Sequence, residues 1–273
     1  MSKKNITVAV WNVNSIKARL SNFIEWAERT QPDFILLQEL KCEEHKFPFA
    51  ELESLNYNYA ISGQKSYNGV AILSKYPLEE INKNFAGDPD PSHARFIEAS
   101  AQTEAGYIRL ISVYVPNGGE VGSDKFEYKL KFFDEFEKYI VSKQSIDELL
   151  IVGGDYNVAP EEIDVYDPKH LQNSTCFTLT ERQKMRSLLN AGFEDAYRLL
   201  HPSKAEYTWW DYRGNSFTHN KGMRIDHILL SPKAADALEK CYIDNETRGK
   251  LTASDHAPII AEFRSQNLGD IFS

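Results

Sequence analysis

The residues able to do chemistry in this chain stand where short apolar runs stop. The clearest case is the stretch from Asp147 to Pro160, DELLIVGGDYNVAP, in which Leu149, Leu150, Ile151 and Val152 run into Gly153-Gly154 and deliver Asp155 and Asn157 just beyond. Such a run reads as a buried strand meeting a tight turn. If the backbone stays extended, residues two apart share a face, so a carboxylate and a carboxamide point the same way. That pairing suits a water-activating base beside a neutral anchor. The competing reading is a plain turn, because Asp, Asn, Gly and Pro all favour turns.

The same device recurs. Asn12 follows Ile6-Thr7-Val8-Ala9-Val10-Trp11, Glu39 follows Phe34-Ile35-Leu36-Leu37-Gln38, Tyr114 closes a third run, Asp226 opens a fourth, and Asp255-His256 precede Ile259-Ile260. Hard oxygen donors such as Glu39, Asp155, Asp255 and Asn12 suit Mg2+ or Mn2+, and the lack of Cys and His clusters argues against structural zinc. Singly, each acid reads as solvated or capping. Their shared position at the ends of separate runs is what points to one site. A carboxylate from another strand would hold His256 charged, Asp226 is the candidate, and the pair would direct a cation at a phosphate oxygen. His227 alternates with Asp226 and reads as structural.

The elements that must position these groups follow from periodicity. Strands are expected over 6–11 and 34–38, then 57–62, 70–74, 96–101, 108–115, 225–230 and 259–263. A helix follows Asn14 or Ser15 as cap, with Ile16, Leu20, Phe23 and Ala27 on its apolar face. A second runs over 125–142 with Phe126, Leu130, Phe133, Phe136 and Ile140 on one stripe, and a third over 180–191 after an irregular region at 158–178. Strands and helices mix without strict βαβ alternation, so two sheets packed face to face with helices outside fit better than a doubly wound sheet. No Pro/Gly/Ser-rich linker divides the chain, which reads as one domain over 1–273.

With 31 basic against 40 acidic residues the net charge is -9, so indiscriminate binding of a polyanion is disfavoured, and a nucleic-acid partner must meet a local basic face or a metal ion. No apolar run of about 18 residues suggests a membrane span. The polar start from Met1 to Asn5 reads as no signal peptide. Cys42, Cys176 and Cys241 are scattered without metal-type spacing, which fits buried thiols in a reducing, cytoplasmic setting.

Together, WNVNSIKAR (11–19), LQELK (37–41), GQKSYNGVAILSK (63–75), YVPNGG (114–119), GGDYNV (153–158), WWDYR (209–213), GMRIDHILLS (222–231) and SDHAP (254–258) resemble the exonuclease III family of AP endonucleases, within the endonuclease/exonuclease/phosphatase superfamily. GDYN, QE and SDH are shared across the superfamily; WWDYR and GMRIDHILLS discriminate. The resemblance implies a four-layered α/β sandwich and a metal-dependent nuclease that cuts DNA 5′ to an abasic site, with 3′-exonuclease and 3′-phosphodiesterase activity. It also implies roles. Glu39 is the principal metal ligand with Asn12 beside it, Asp255 holds a second metal or a water, and Asp155, Asn157 and His256 complete the metal-facing set. Asp155 activates the attacking water, Asn157 holds that water or the phosphate, and Tyr114 with the His256–Asp226 pair clamps the phosphate.

Trp209 and Trp210 have two readings. Adjacent tryptophans commonly pack in a core. By the resemblance, Trp209, Met223 and Ile225 line an apolar pocket for a deoxyribose that has lost its base, a nucleotide that is cheaper to flip out than an intact one. Lys41, Lys65, Arg95, Arg213, Lys221, Arg224 and Lys250 are candidate phosphate contacts, although isolated basic residues commonly just solvate a surface. The implied partner is duplex DNA with abasic sites or blocked 3′ ends, bound by a monomer. The sequence departs from the family at Asn14-Ser15, Met223 and Lys250-Leu251-Thr252-Ala253, none of which removes a catalytic group. A mainly 3′-exonucleolytic relative and a non-catalytic DNA-binding member are the competing readings.

Overall fold

Alternation of apolar residues along the strands sets the layers. A computed structural model describes residues 5–144 and 148–265; Asp147 lies outside the described residues. The strands are β1 (Ile6–Asn12), β2 (Phe34–Gln38), β3 (Asn58–Ser62), β4 (Val70–Ser74), β5 (Glu79–Asn82), β6 (Phe96–Thr103), β7 (Gly106–Tyr114), β8 (Leu149–Asp155), β9 (Glu194–Asp195), β10 (Trp209–Trp210), β11 (Gly222–Met223), β12 (Asp226–Leu230), β13 (Leu238–Ile243) and β14 (Ile259–Phe263). The helices are α1 (Leu20–Thr30), α2 (Asp124–Lys143), α3 (Pro168–Leu171), α4 (Leu179–Asn190), α5 (Ala196–Leu200) and α6 (Pro232–Ala237). One sheet runs β13-β14-β1-β2-β4-β3, the other β5-β6-β7-β8-β12-β9, and β10 with β11 forms a small ribbon.

Val8, Val10 and Leu36 of the first sheet meet Leu110, Ile151 and Ile228 of the second in one buried cluster. The residues between them face outward. Ala9, Trp11 and Ile35 pack on Phe23 and Trp26 of α1, while Ile111, Val113, Leu150 and Val152 pack on Phe132, Phe136 and Ile140 of α2 and Met185 and Leu188 of α4. Helix, sheet, sheet and helix make the four-layered α/β sandwich, as expected from the sequence. Among the described residues, no helix is long and apolar enough to cross a membrane.

Several local expectations need correction. The first helix begins at Leu20, because Asn14 and Ser15 take left-handed backbone angles (φ 44° and 86°); Arg19 stands at its N-cap without a side-chain hydrogen bond. The stripe of α2 buries Phe126, Phe133, Phe136 and Ile140 as expected, and it is wider, with Lys129, Phe132 and Tyr139 also buried while Leu130 is only half-buried. The start of α4 is fixed by a capping box: Thr178 Oγ1 accepts from Glu181 N at 3.3 Å, and Glu181 Oε2 accepts from Thr178 N at 3.0 Å. β5 and β13 were not foreseen. All four residues of β5 are exposed, and β13 has too few buried positions to show a clear alternation.

Strand register then gathers the polar ends. β7 lies parallel to β8 with Tyr114 opposite Asp155, and β12 lies antiparallel with Asp226 opposite the same Asp155. On the facing sheet, β1 lies parallel to β2 with Asn12 opposite Gln38, which hands the chain to Glu39. The sheets approach closely at Gly153, where an added Cβ would stand 2.4 Å from Val10 Cγ2 and 2.8 Å from Leu36 Cδ1. Gly153→Ala should therefore lower unfolding free energy by about 1–3 kcal/mol through overpacking. A urea midpoint equal to that of the parent would contradict this contact.

Candidate active site

The gathered strand ends open onto a cavity of about 350 Å³ lined by Glu39, Tyr114, Asn117, Asp155, Asn157, Thr175, Cys176, Trp209, Met223, Ile225, Asp255 and His256. One wall is charged, and Trp209, Met223 and Ile225 make the other apolar. The β10–β11 ribbon sets Trp209 directly against Met223.

At the charged wall, Asn12 Nδ2 donates to both Glu39 Oε1 and Asp155 Oδ2, each at 2.8 Å, and so bridges the two sheets. Lys41 Nζ lies 2.8 Å from Glu39 Oε2. Burial opposes ionisation of Glu39, yet Lys41, the Asn12 amide and His256 hold its carboxyl below the usual range. Asp155 goes the other way. Burial first, then the Asp226 and Glu39 charges, push it up to about 7, although His256 and Asn12 oppose the rise. His256 Nδ1 is 2.8 Å from Asp226 Oδ2, and its Nε2 is 3.7 Å from Asp155 Oδ2. Burial disfavours the charged ring, but the Asp226 and Asp155 carboxylates outweigh it and lift His256 to about 10. Tyr114 is raised well above its ordinary value by burial and by Glu39 and Asp155, which leaves it a phenol O–H donor.

Glu39, Asp155 and His256 each place a potential ligand atom within 4.8 Å of the others. Two carboxylates of this kind fit a hard divalent ion that binds through few protein oxygens. His256, Asn12 and Asp255, also of the expected metal set, have protein partners of their own in this structure. As an imidazolium, His256 carries a proton on both nitrogens and donates only. Asn12 turns Oδ1 to the Asn14 amide N–H at 3.0 Å and presents its NH2 to the acids. Asp255 accepts from Asn14 Nδ2 at 2.9 Å and from the Trp209 indole N–H at 3.0 Å, so it ties the charged wall to the apolar one.

Of the two readings of its segment, Asn157 follows the turn and not the extended strand. β8 ends at Asp155, Asn157 has φ 51°, and its amide N–H donates back to Asp155 Oδ1 at 2.9 Å. Its carboxamide donates to Val115 O and accepts from Asn117 Nδ2, each at 3.0 Å, yet it still lines the cavity beside Asp155.

Arg224 is the main correction among the basic residues. It is 1% exposed and pairs with Asp164 and Asp195, each at 2.7 Å, so it is a core residue and no phosphate contact. Arg95 stacks over Tyr114 with 4.8 Å from Cζ to the ring centroid and donates to its carbonyl. Arg213 is 90% exposed and held by Asp211, and Lys250 pairs with Glu25. Lys41 stays beside Glu39, and Lys65 and Lys221 are exposed. His227 is fully buried with Nε2 2.8 Å from Val158 O, in keeping with a structural role.

Sequence reasoning missed Asn14, Asn117, Thr175 and Cys176. Asn117 lay within YVPNGG, whereas Thr175 and Cys176 sat in an irregular stretch with no distinguishing pattern.

Residues 9–256 match the Endonuclease/Exonuclease/phosphatase family. The chain belongs to that family. Among its relatives, exodeoxyribonuclease III of Haemophilus influenzae is 34% identical over 93% of this chain and 98% of its own length. An AP endonuclease structure from Archaeoglobus fulgidus superposes with a TM-score of 0.89 at 36% identity, covering 94% of this chain and 99% of that one. A 3′-5′ exonuclease from Neisseria meningitidis gives 0.90 at 39%, again over 94% and 99%. The family fold thus extends over both sheets that frame the cavity.

The raised Asp155 implies a pH signature. Its folded pKa of about 7 exceeds the ordinary 3.8, so the folded state holds the proton more tightly, and this contribution to stability is lost as pH rises between those values. In metal-free protein, the Tm of Asp155→Asn relative to the parent should therefore climb from pH 4 to pH 8. A flat or falling difference would contradict the burial of an ionised Asp155.

Proposed function

We propose that this chain cuts the DNA backbone on the 5′ side of an abasic site and also trims or unblocks 3′ ends, with Mg2+ as its ion and Mn2+ as a substitute. It is a phosphodiester-hydrolysing nuclease of DNA repair, and metal dependence belongs to its family. The observation that carries the finer reading is the cavity's division into a charged wall and an apolar wall.

Glu39 and Asp155 would hold the ion. Once bound, a divalent cation supplies charge neutralisation at phosphate oxygens and at the departing alkoxide. Asp155, which lines the cavity beside Asn157, is placed to take a proton from an attacking water. His256, held charged by Asp226, offers its Nε2–H to a non-bridging phosphate oxygen, and the Tyr114 hydroxyl offers a second donor. Such donors act by positioning and electrostatics, so no covalent intermediate is needed. Asp255 sets the pitch of the Trp209 ring through the indole N–H. With Met223 and Ile225, that ring forms a wall suited to a deoxyribose without its base.

A mainly 3′-exonucleolytic enzyme is the second reading. It draws on the 39% identity to a structure named a 3′-5′ exonuclease and on Thr175 and Cys176 at the cavity edge. A labelled duplex carrying one internal abasic analogue separates the readings in Mg2+. An internal nick abolished by chelator is expected; end-shortening alone would favour the exonuclease, and binding without cleavage would overturn both. Trp209→Ala should reduce the preference for abasic over intact duplex by about 10-fold or more, as expected for loss of a large pocket wall. Unchanged preference in a folded variant would contradict the pocket.

A further inference from the structure

Behind the cavity lies a charged pair that the chemistry above does not use. Lys129 of α2 and Glu181 of α4 are both 0% exposed and joined by a short ion pair. The Lys129 ammonium also donates to the main-chain carbonyls of Asn157 at 2.7 Å and Asn117 at 3.1 Å, so all three of its donors are used. Glu181 is equally occupied. Its Oε1 accepts from the Cys176 N–H at 3.0 Å, and its Oε2 accepts from Thr178 N at 3.0 Å and Thr178 Oγ1 at 2.7 Å. Asn117, Asn157 and Cys176, which these bonds fix, all line the cavity.

Stability is a weak reason for such a pair, because both charges lose their water and an apolar pair of similar volume commonly does as well. Lys129 also sits in a stripe with Phe126, Phe132, Phe133 and Phe136, where an apolar side chain would fit. An apolar side chain has no way to donate to two main-chain carbonyls at once. One of those carbonyls belongs to Asn157, which turns the chain at the end of β8 in the left-handed conformation that Asn tolerates. Holding that carbonyl also holds the carboxamide, which is bonded to Val115 O and Asn117 Nδ2.

We propose that Lys129 and Glu181 are positioning residues of the cleavage site, which fix Asn117, Asn157 and the Cys176 segment at the spacing that phosphodiester hydrolysis requires. This rests on the cavity being the site of cleavage. Neither residue touches substrate; Lys129 acts through Asn117 and Asn157, and Glu181 through Lys129 and the Cys176 segment.

The test compares the parent with Lys129→Met, Lys129→Met/Glu181→Gln and Lys129→Arg. Lys129→Met alone leaves a buried carboxylate unpaired and should lose the most Tm. The double variant removes both charges and should regain most of it. Its kcat on the abasic duplex should nevertheless stay about 10- to 100-fold below the parent, since small misplacements in a site cost that much. KM should move by less than about threefold, as for loss of an interaction made only in the transition state. Lys129→Arg keeps the charge but not the three-way split of donors, so its Tm should hold better than its kcat. Recovery of kcat together with Tm in the double variant, or parental kcat in Lys129→Arg, would overturn the proposal. The side-chain amide NMR signals of Asn117 and Asn157, read without substrate, should shift in the double variant and in Lys129→Arg; unshifted signals would also overturn it. A parent chain that cleaves no duplex would refute the proposed function instead, leaving these signals as the measure of positioning.

Discussion

Repulsion among carboxylates packed away from water is the constraint on which this molecule is built. Asp155 and Asp226 are opposite one another on adjacent strands and almost wholly buried, and Glu39 reaches the same point from the other sheet. Left alone, three such charges would protonate or force the sheets apart. The structure offsets them with two devices. Asn12 places one NH2 between Glu39 and Asp155, and His256 sits between Asp226 and Asp155 as a cation. Burial first, then the Asp226 and Glu39 charges, still leave Asp155 with a raised pKa. A divalent ion at Glu39 and Asp155 would complete the neutralisation, so the electrostatic debt of the folded chain and its chemistry have one origin.

The fold supplies the coincidence of position. Parallel pairing of β7 with β8 and of β1 with β2 brings strand ends, instead of strand middles, to one edge, and face-to-face packing of the sheets brings the two edges together. Gly153 permits the close approach beneath the site. On the far side, Asp255 carries the order of the charged wall across to Trp209, so the part of the cavity suited to an ion and the part suited to a sugar are aligned by one carboxylate.

How much of this could be read from the residues depends on whether local pattern or distant contact decides each one. Branched apolar runs ending in Asn12, Glu39, Tyr114 and Asp155 gave the strands and the site, because an apolar strand must be buried and a polar residue at its end must not be stranded in the core. The pairing of His256 with Asp226 was legible from charge alone. Arg224 was misread because its partners Asp164 and Asp195 are far away in sequence, and only the tertiary fold makes an arginine amid apolar neighbours a buried ion-pair member. The extended and turn readings of Asn157 could not be separated from its neighbours in sequence, and its own amide decides for the turn by donating back to Asp155. Lys129 borders the apolar stripe of α2, where a lysine reads as solvated, so its burial and its partner on α4 were hidden.

The central claim is that the acids from separate strands form one cation site at the seam of the sheets. Anomalous diffraction from crystals of the protein grown with Mn2+ tests it most directly. The account predicts a peak beside the Glu39 and Asp155 carboxylates, with the His256–Asp226 pair intact. Manganese bound at Asp255 with Glu39 and Asp155 bare, or no ordered ion in the cavity at concentrations that support cleavage, would contradict it.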